Sequence, residues 1–320
     1  MELTHLSKAT AEKLKLLVER IEQSHIPPSM LDETLNIATW NIRDFGKRRR
    51  SELAITLISR VLYQFDLIAI TELRDDLTDF KRVMQQLGPD WQFVISDWQS
   101  DFGGNWERTA FVYDKRMVQF TGLAAEAQPD RQKVDDQYIS EQSWWRAPYM
   151  ASFKAGSFDF MMLAMHARWG TRPGREQELA SFGDWIKSRW VDNADTVFDE
   201  DLIVVGDFNI PRIGDRYYQA LTHSSGLQMP QALAEINDTA ASAGNKRYDQ
   251  ILHRARHAFS YADKGGVIDF AAQGLMAAIF DDTGIPESKW TYELSDHFPL
   301  WVQVNTNNEL AILNNIIQKE

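Results

Sequence analysis

Apolar residues fall along this chain in two rhythms. Between Ala11 and Ile21, Leu14, Leu17, Val18 and Ile21 recur at steps of three and four, which predicts an amphipathic helix. The "IPPS" segment at 26–29 ends it, since proline cannot continue the helical hydrogen-bond ladder. This helix reads as an extension appended to the main fold. Beyond it, short runs of strand character alternate with helical stretches. Strands are expected at "LNIATW" (35–40), "DLIAIT" (66–71), "WQFVIS" (91–96), "TAFVYD" (109–114), "FDFMMLAM" (158–165), "LIVVG" (202–206), "YDQIL" (248–252) and "LWVQV" (300–304). Many of these are apolar almost throughout, as in strands covered on both faces. Helices are expected at 51–63, 76–87 and 174–190. This order predicts an α/β sandwich, two sheets packed together with helices outside.

No repeat, low-complexity tract or Ser/Gly linker interrupts the middle of the chain, so 34–305 reads as one domain. Residues 1–33 form an N-terminal helical extension and 306–320 a helical tail. Leu310, Leu313, Ile316 and Ile317 in the tail have helical spacing and are expected to dock on the domain or on a second copy.

Composition narrows the class. The 320 residues are 44% hydrophobic and 25% charged, which suits a globular protein able to bury a sizeable core. No uncharged apolar run approaches the roughly 18 residues of a membrane span, so no membrane partner is expected. The N-terminus mixes charge with apolar residues and lacks the continuous apolar stretch of a signal peptide. Cysteine is absent, which excludes disulfides, thiolate metal sites and a cysteine nucleophile. The cytoplasm is the expected location. A net charge of −12 argues against non-specific coating of nucleic acid. Local charge is a separate matter: carboxylates that hold a divalent cation also add to the negative count.

The polar residues at the strand ends change the picture most. "LNIATWNIRDFG" closes a strand on Asn41, "DLIAITELRDD" on Glu72 and "MLAMHARWG" on His166. "LIVVGDFNIP" delivers Asp207 and Asn209, "RYDQILH" opens with Asp249, and "ELSDHFPLWV" sets Asp296 and His297 before the last strand. Taken singly, each has an ordinary structural explanation: a turn residue, a surface carboxylate, a hydrogen-bonded core histidine. Together they place four carboxylates, two amides and two imidazoles at the boundaries of separate strands, where α/β proteins build their sites. Glu72, Asp296 and Asn41 offer oxygen ligands only, which suits a hard cation such as Mg²⁺ rather than zinc. A histidine beside a carboxylate has its tautomer fixed and can hold or protonate a phosphate oxygen.

In this order, Asn41, Glu72, His166, "GDFN", Asp249 and "SDH" resemble the endonuclease/exonuclease/phosphatase superfamily over about 35–305. The resemblance implies a four-layer α/β/β/α sandwich of two mixed β-sheets packed face to face. "LNIATWNIRDFG", "ITELRD" and "ERTAFVYD" are most similar to the deoxyribonuclease I-like branch. That likeness assigns Arg74 to the DNA minor groove, Glu107 to the support of His166, and Arg146 to a phosphate. Arg43 stands where the abasic-site repair enzymes carry Asp, which lowers the expectation of that activity. The acidic loop at 123–145 is longer than in the secreted deoxyribonucleases, and the terminal helices are additions.

The resemblance implies a divalent-metal-dependent phosphodiester hydrolase, an endonuclease acting on DNA more than RNA. Mg²⁺, or Mn²⁺, would sit on Glu72 with Asn41 and Asp296 nearby. Asp207, held by Asn209, would orient or deprotonate the attacking water, while His166 and His297 grip the phosphate, backed by Glu107 and Asp249. A phosphatase or phosphodiesterase of phosphoinositides, phospholipids or small nucleotides is the alternative on the same residues, and an inactive interaction module the third. The basic run of Arg43, Lys47, Arg48, Arg49 and Arg50 is either a DNA-backbone track or a solvated helix start. Trp98, Trp106, Trp144, Trp145 and Trp169 are expected in loops, packing against one another or stacking on bases.

Overall fold

The computed structural model describes residues 3–4, 6–98, 106–140, 144–169, 174–241, 245–255 and 260–318. The strands are β1 (Thr34–Phe45), β2 (Leu67–Leu73), β3 (Trp91–Ile95), β4 (Arg108–Asp114), β5 (Gln119–Glu126), β6 (Gln132–Val134), β7 (Gln137–Ile139), β8 (Tyr149–Ala155), β9 (Phe158–His166), β10 (Asp201–Asp207), β11 (Asp249–Arg254), β12 (Tyr261–Val267) and β13 (Leu300–Asn305). The helices are α1 (Lys8–Gln23), α2 (Glu52–Leu62), α3 (Thr78–Leu87), α4 (Arg175–Ile186), α5 (Arg216–Ser225), α6 (Leu275–Phe280), α7 (Glu287–Glu293) and α8 (Glu309–Ile317). A turn of π-helix over Lys187–Val191 extends α4.

Two mixed sheets result. The first runs β12-β13-β1-β2-β4-β3 and the second β11-β10-β9-β8-β5. Each has a parallel pair at its heart, β1 with β2 and β9 with β10, flanked by antiparallel neighbours. Alternation of side chains along a strand explains the layering. On β1, Leu35 and Ile37 face the second sheet, while Ala38, Trp40 and Ile42 face the helices. On β10, Ile203 and Val205 enter the space between the sheets, whereas Leu202 and Val204 pack on α4 and α5. Three apolar layers separate four layers of structure, so both faces of the central strands are buried. That is why their sequences read as unbroken apolar runs.

The N-terminal helix is more integrated than its sequence position implies. Ser7 caps it by accepting from the Thr10 N–H at 3.2 Å, and Leu14, Leu17 and Ile21 join the core layer outside the first sheet. The tail differs the other way. Leu310, Leu313, Ile316 and Ile317 on α8 are exposed, so their apolar face is not docked on the domain, and a second copy is the other partner expected for it. Part of the supposed acidic loop is strand β5, and β6 with β7 forms an exposed hairpin; residues 141–143 lie outside those described. No described helix is long and apolar enough to cross a membrane.

One core contact yields a stability prediction. The His253 ring of β11 stacks on Tyr261 of β12, with centroids 3.6 Å apart, and burial depresses its pKa to about 4. The unfolded imidazole titrates near its ordinary value of about 6.5. Between these values the unfolded chain binds the extra proton. The contribution of His253 is therefore complete above pH ~6.5 and lost on descent to pH ~4, roughly 3 kcal/mol at the limit. Thermal melts from pH 7 to 4 should fall more steeply for the wild type than for His253→Asn. Parallel curves would refute the assignment.

Candidate active site

The sheet pairing brings the polar strand ends to one place. Asp207 is in register with His166 on one side and with Asp249 on the other, and Asn41 with Thr71, next to Glu72. β13 runs antiparallel to β1, so Asp296 and His297, just before it, reach the same end of the sandwich. Gly206 allows the close approach of β10 to β9: its φ is +130°, and a Cβ there would collide with the Met165 carbonyl. Asp44, Glu72 and Asn209 all have φ between 48° and 61°, a left-handed backbone that is uncommon outside glycine. Such conformations cluster at functional sites.

Asp207 is the centre of the arrangement. Its Oδ1 accepts the Asn209 backbone N–H at 2.9 Å, and its Oδ2 accepts from Asn41 Nδ2 at 3.1 Å. His166 Nε2 lies 3.6 Å and His297 Nε2 3.7 Å from that same Oδ2. Behind each imidazole stands a carboxylate: Glu107 Oε2 is 2.8 Å from His166 Nδ1, and Asp249 Oδ2 is 2.8 Å from His297 Nδ1. Asn209 holds Asp207 through its backbone N–H and not through its side-chain amide. The Asn209 side chain turns away to donate to the Ala167 carbonyl at 2.9 Å, and it is Asn41 that grips the carboxylate.

Charge follows from this packing. Burial disfavours a cation at His297, but Asp249 and Asp207 outweigh it and raise its pKa well above the ordinary value. His166 is also raised: burial and Arg146 oppose the charge, and Glu107 overcomes them. Burial alone would raise Glu107, yet His166, Arg146 and Arg74 hold it at about 2. Burial drives Asp249 upward, although the charge of His297 beside it pulls the other way.

A second group lies beside this one. Asn41 Nδ2 also donates to Glu72 Oε1 at 3.0 Å, and the Asp44 N–H to Glu72 Oε2 at 2.8 Å. Asn41 Oδ1 is buried without a hydrogen-bond partner. An orphaned buried acceptor beside a fixed carboxylate is the environment a hard cation completes. Among the described residues no group of three or more His, Asp or Glu is placed to hold a metal. The fit is therefore to an ion with two or three protein oxygens that keeps most of its waters, as Mg²⁺ does. Asp296 faces the cavity but pairs with Arg43 at 3.3 Å.

The expected substrate residues are more restrained. Arg74 is buried between Asp44 and Glu107, so the guanidinium assigned to a minor groove is held within the site. Arg146 bonds Glu107 at 3.0 Å and lines the cavity. Arg43 donates to Thr291 and Tyr292 as well as pairing with Asp296. Arg50 is removed from any DNA track: it is buried and donates to the carbonyls of Arg43, Tyr292 and Leu294. Arg247 is likewise buried and donates to the Asp249 carbonyl. Trp144 packs edge-on against Phe182 and Trp185, Trp145 carries Arg168 at 4.4 Å, and Trp98 stacks on Trp106 at 4.2 Å. Trp169 alone of the five tryptophans lines the cavity, 76% exposed.

Three positioning groups had no role assigned from the sequence, although Ser295 is the first residue of "SDH". Ser295 Oγ donates to the Asn41 carbonyl at 2.6 Å and accepts the His297 N–H at 3.0 Å, joining both halves of the site. Glu178 accepts from the backbone N–H of Trp145 and, at 2.9 Å, of Arg168, tying the Arg146 and His166 segments together. Arg175 holds the Asn209 carbonyl at 2.7 Å. All three are buried, and nothing in a local pattern separates them from solvated residues.

The cleft has a volume of 520 Å³ and is lined by Arg43, Glu72, His166, Asp207, Asp296 and His297, among others. Rabbit (Oryctolagus cuniculus) deoxyribonuclease-1 is 25% identical over 244 residues, 68% of this chain and 77% of that protein. A solved endonuclease/exonuclease/phosphatase family protein from Leptotrichia buccalis superposes with a TM-score of 0.56 at 17% identity, covering 84% of this chain and 99% of that one. TDP2 from D. rerio, solved with a single-strand DNA product, gives 0.56 at 16% identity over 85% and 99%. At these identities the two structures bear on fold alone. The model of the Endonuclease/Exonuclease/phosphatase family matches residues 38–297, from β1 to His297, and the chain belongs to that family.

Proposed function

We propose that this chain is a divalent-metal-dependent phosphodiesterase whose substrate is nucleic acid, DNA before RNA. The observation that carries the reading is the position of Asp207 Oδ2, 3.6 and 3.7 Å from two imidazoles that are each backed by a buried carboxylate. Water held at Asp207 loses its proton to that carboxylate as its oxygen attacks phosphorus and the bond to the leaving oxygen breaks. His166 and His297, biased toward their cationic forms, hold the phosphoryl oxygens, and Arg146 adds a further donor. Glu72 and Asn41 would hold Mg²⁺ or Mn²⁺, and Asp296 would join them on release from Arg43. Such an ion stabilises charge growing on the phosphoryl oxygens. Arg43 and Arg74 border the phosphate position. The likeness to deoxyribonuclease-1 supports DNA as substrate, and the absence of cysteine fits a cytoplasmic location.

Incubation with plasmid DNA, RNA and small phosphomono- and diesters, under Mg²⁺, Mn²⁺ or EDTA, tests the reading. Metal-dependent plasmid nicking is the expected result. Cleavage of small esters alone would reassign the substrate to the phosphatase or phosphodiesterase class, and inertness on every substrate would leave an interaction module.

A further inference from the structure

The basic run that follows β1 is split by the fold. Arg50 turns inward, while Lys47, Arg48 and Arg49 remain exposed. Helix α7 then brings Tyr292 to Arg48 from the far end of the sequence. Its ring receives Arg43 at 3.9 Å, Lys289 at 5.1 Å and Arg48 at 5.7 Å. An aromatic face attracts cations through its quadrupole and so gathers charges that would otherwise repel.

Nearby acids compensate only part of this charge. Lys47 pairs with Asp44 at 3.3 Å, Arg43 with Asp296, and Asp76 lies in the field of Arg49. Among the described residues, Arg48, Arg49 and Lys289 have no carboxylate within ion-pair distance. In a chain of net charge −12 these cations without a carboxylate partner run against the overall sign. The group is also continuous with the reaction centre, because Arg43 and Lys47 both line the cleft. A small ester presents one phosphate, which His166, His297 and Arg146 already surround, and has nothing left for a cationic ridge outside. A strand of nucleic acid does, since each neighbouring phosphate carries charge.

We infer that Arg48 and Lys289, gathered with Arg43 around Tyr292, and the exposed neighbours Lys47 and Arg49 hold the phosphates flanking the scissile one. The substrate is then a nucleic-acid strand that leaves the cleft toward α7. The inference rests on the phosphodiesterase reading above, and the experiment separates the two.

The variant Arg48→Gln/Arg49→Gln/Lys289→Gln spares every residue lining the cleft. Its kcat/KM on a short DNA oligonucleotide is compared with wild type from 50 to 200 mM salt, beside bis(p-nitrophenyl) phosphate. Each lost phosphate contact removes about 0.7–0.9 from the log–log salt slope. The expected result is a slope lower by about 2 and a KM raised tenfold or more, with the small diester cleaved at the wild-type rate. Equal salt slopes would overturn the inference and leave the hydrolase standing. Cleavage of the diester with no oligonucleotide cleaved or bound would do the same. If the wild type cleaves neither substrate, the hydrolase reading falls and takes the ridge with it.

Discussion

Asp207→Asn should lower kcat by about 10²- to 10⁴-fold, the usual range for loss of a general base, while leaving the fold intact. The side chain is buried and its two oxygens do different work. Oδ1 accepts the Asn209 N–H and so shapes the turn after β10; Oδ2 faces Asn41, His166 and His297. Asparagine keeps a carbonyl oxygen for the turn but presents an uncharged group to the imidazoles. The water then has no base, and both histidines lose a stabilising negative charge. The structural cost is one hydrogen bond to Asn41, on the order of 1–3 kcal/mol, or a few degrees in Tm. Hydrolysis of bis(p-nitrophenyl) phosphate, with a thermal melt of the same sample, checks both halves. A kcat within tenfold of wild type, at an unchanged Tm, would remove Asp207 from the centre of the reaction.

What the sequence disclosed follows from burial. β1, β2, β9 and β10 are covered on both faces, so they announce themselves as apolar runs ending abruptly in Asn41, Glu72, His166 and Asp207. Two of the edge strands lack that signature. β5 is half-exposed along its length and β12 contains Asp263, Lys264 and two glycines, and neither stands out from loop. Glu107 became visible only through family likeness. It precedes β4 rather than closing an apolar run, and its histidine lies 59 residues further on. The way Asn209 holds Asp207 has a local cause. Spacing put Asn209 two residues away, but its left-handed backbone aims the N–H at the carboxylate and the amide at Ala167. Arg50 shows the converse: in sequence it belongs to a basic run, and only the return of the chain at 292–294 supplies the carbonyls that bury it.

Removal of divalent cations should abolish hydrolysis, by 10²-fold or more, and Glu72→Gln should reproduce much of that loss at low Mg²⁺. The reasoning starts from Asn41. One face of its amide is fully used, Nδ2 donating to both Glu72 and Asp207, and the other, Oδ1, is buried with nothing to accept from. Leaving a buried acceptor unpaired costs on the order of 1–3 kcal/mol, a cost that a bound cation would offset. Glu72 is fixed beside it by Asn41 and by the Asp44 N–H, on a strained backbone with φ of 61°. Glutamine keeps the shape and an oxygen but removes the charge that attracts the ion. The variant should therefore need more Mg²⁺ for half-maximal rate while approaching wild-type kcat at saturation. Binding is separable from catalysis by melting: an ion that binds only the folded chain raises stability by about 2.7 kcal/mol at a hundred times its Kd. Mg²⁺ should thus raise the wild-type Tm more than that of Glu72→Gln at equal concentration. Full activity in excess EDTA would break the argument at its first step. Equal Mg²⁺ shifts in the two proteins would break it at Glu72, moving the ion elsewhere and leaving the orphaned oxygen of Asn41 to be filled by water.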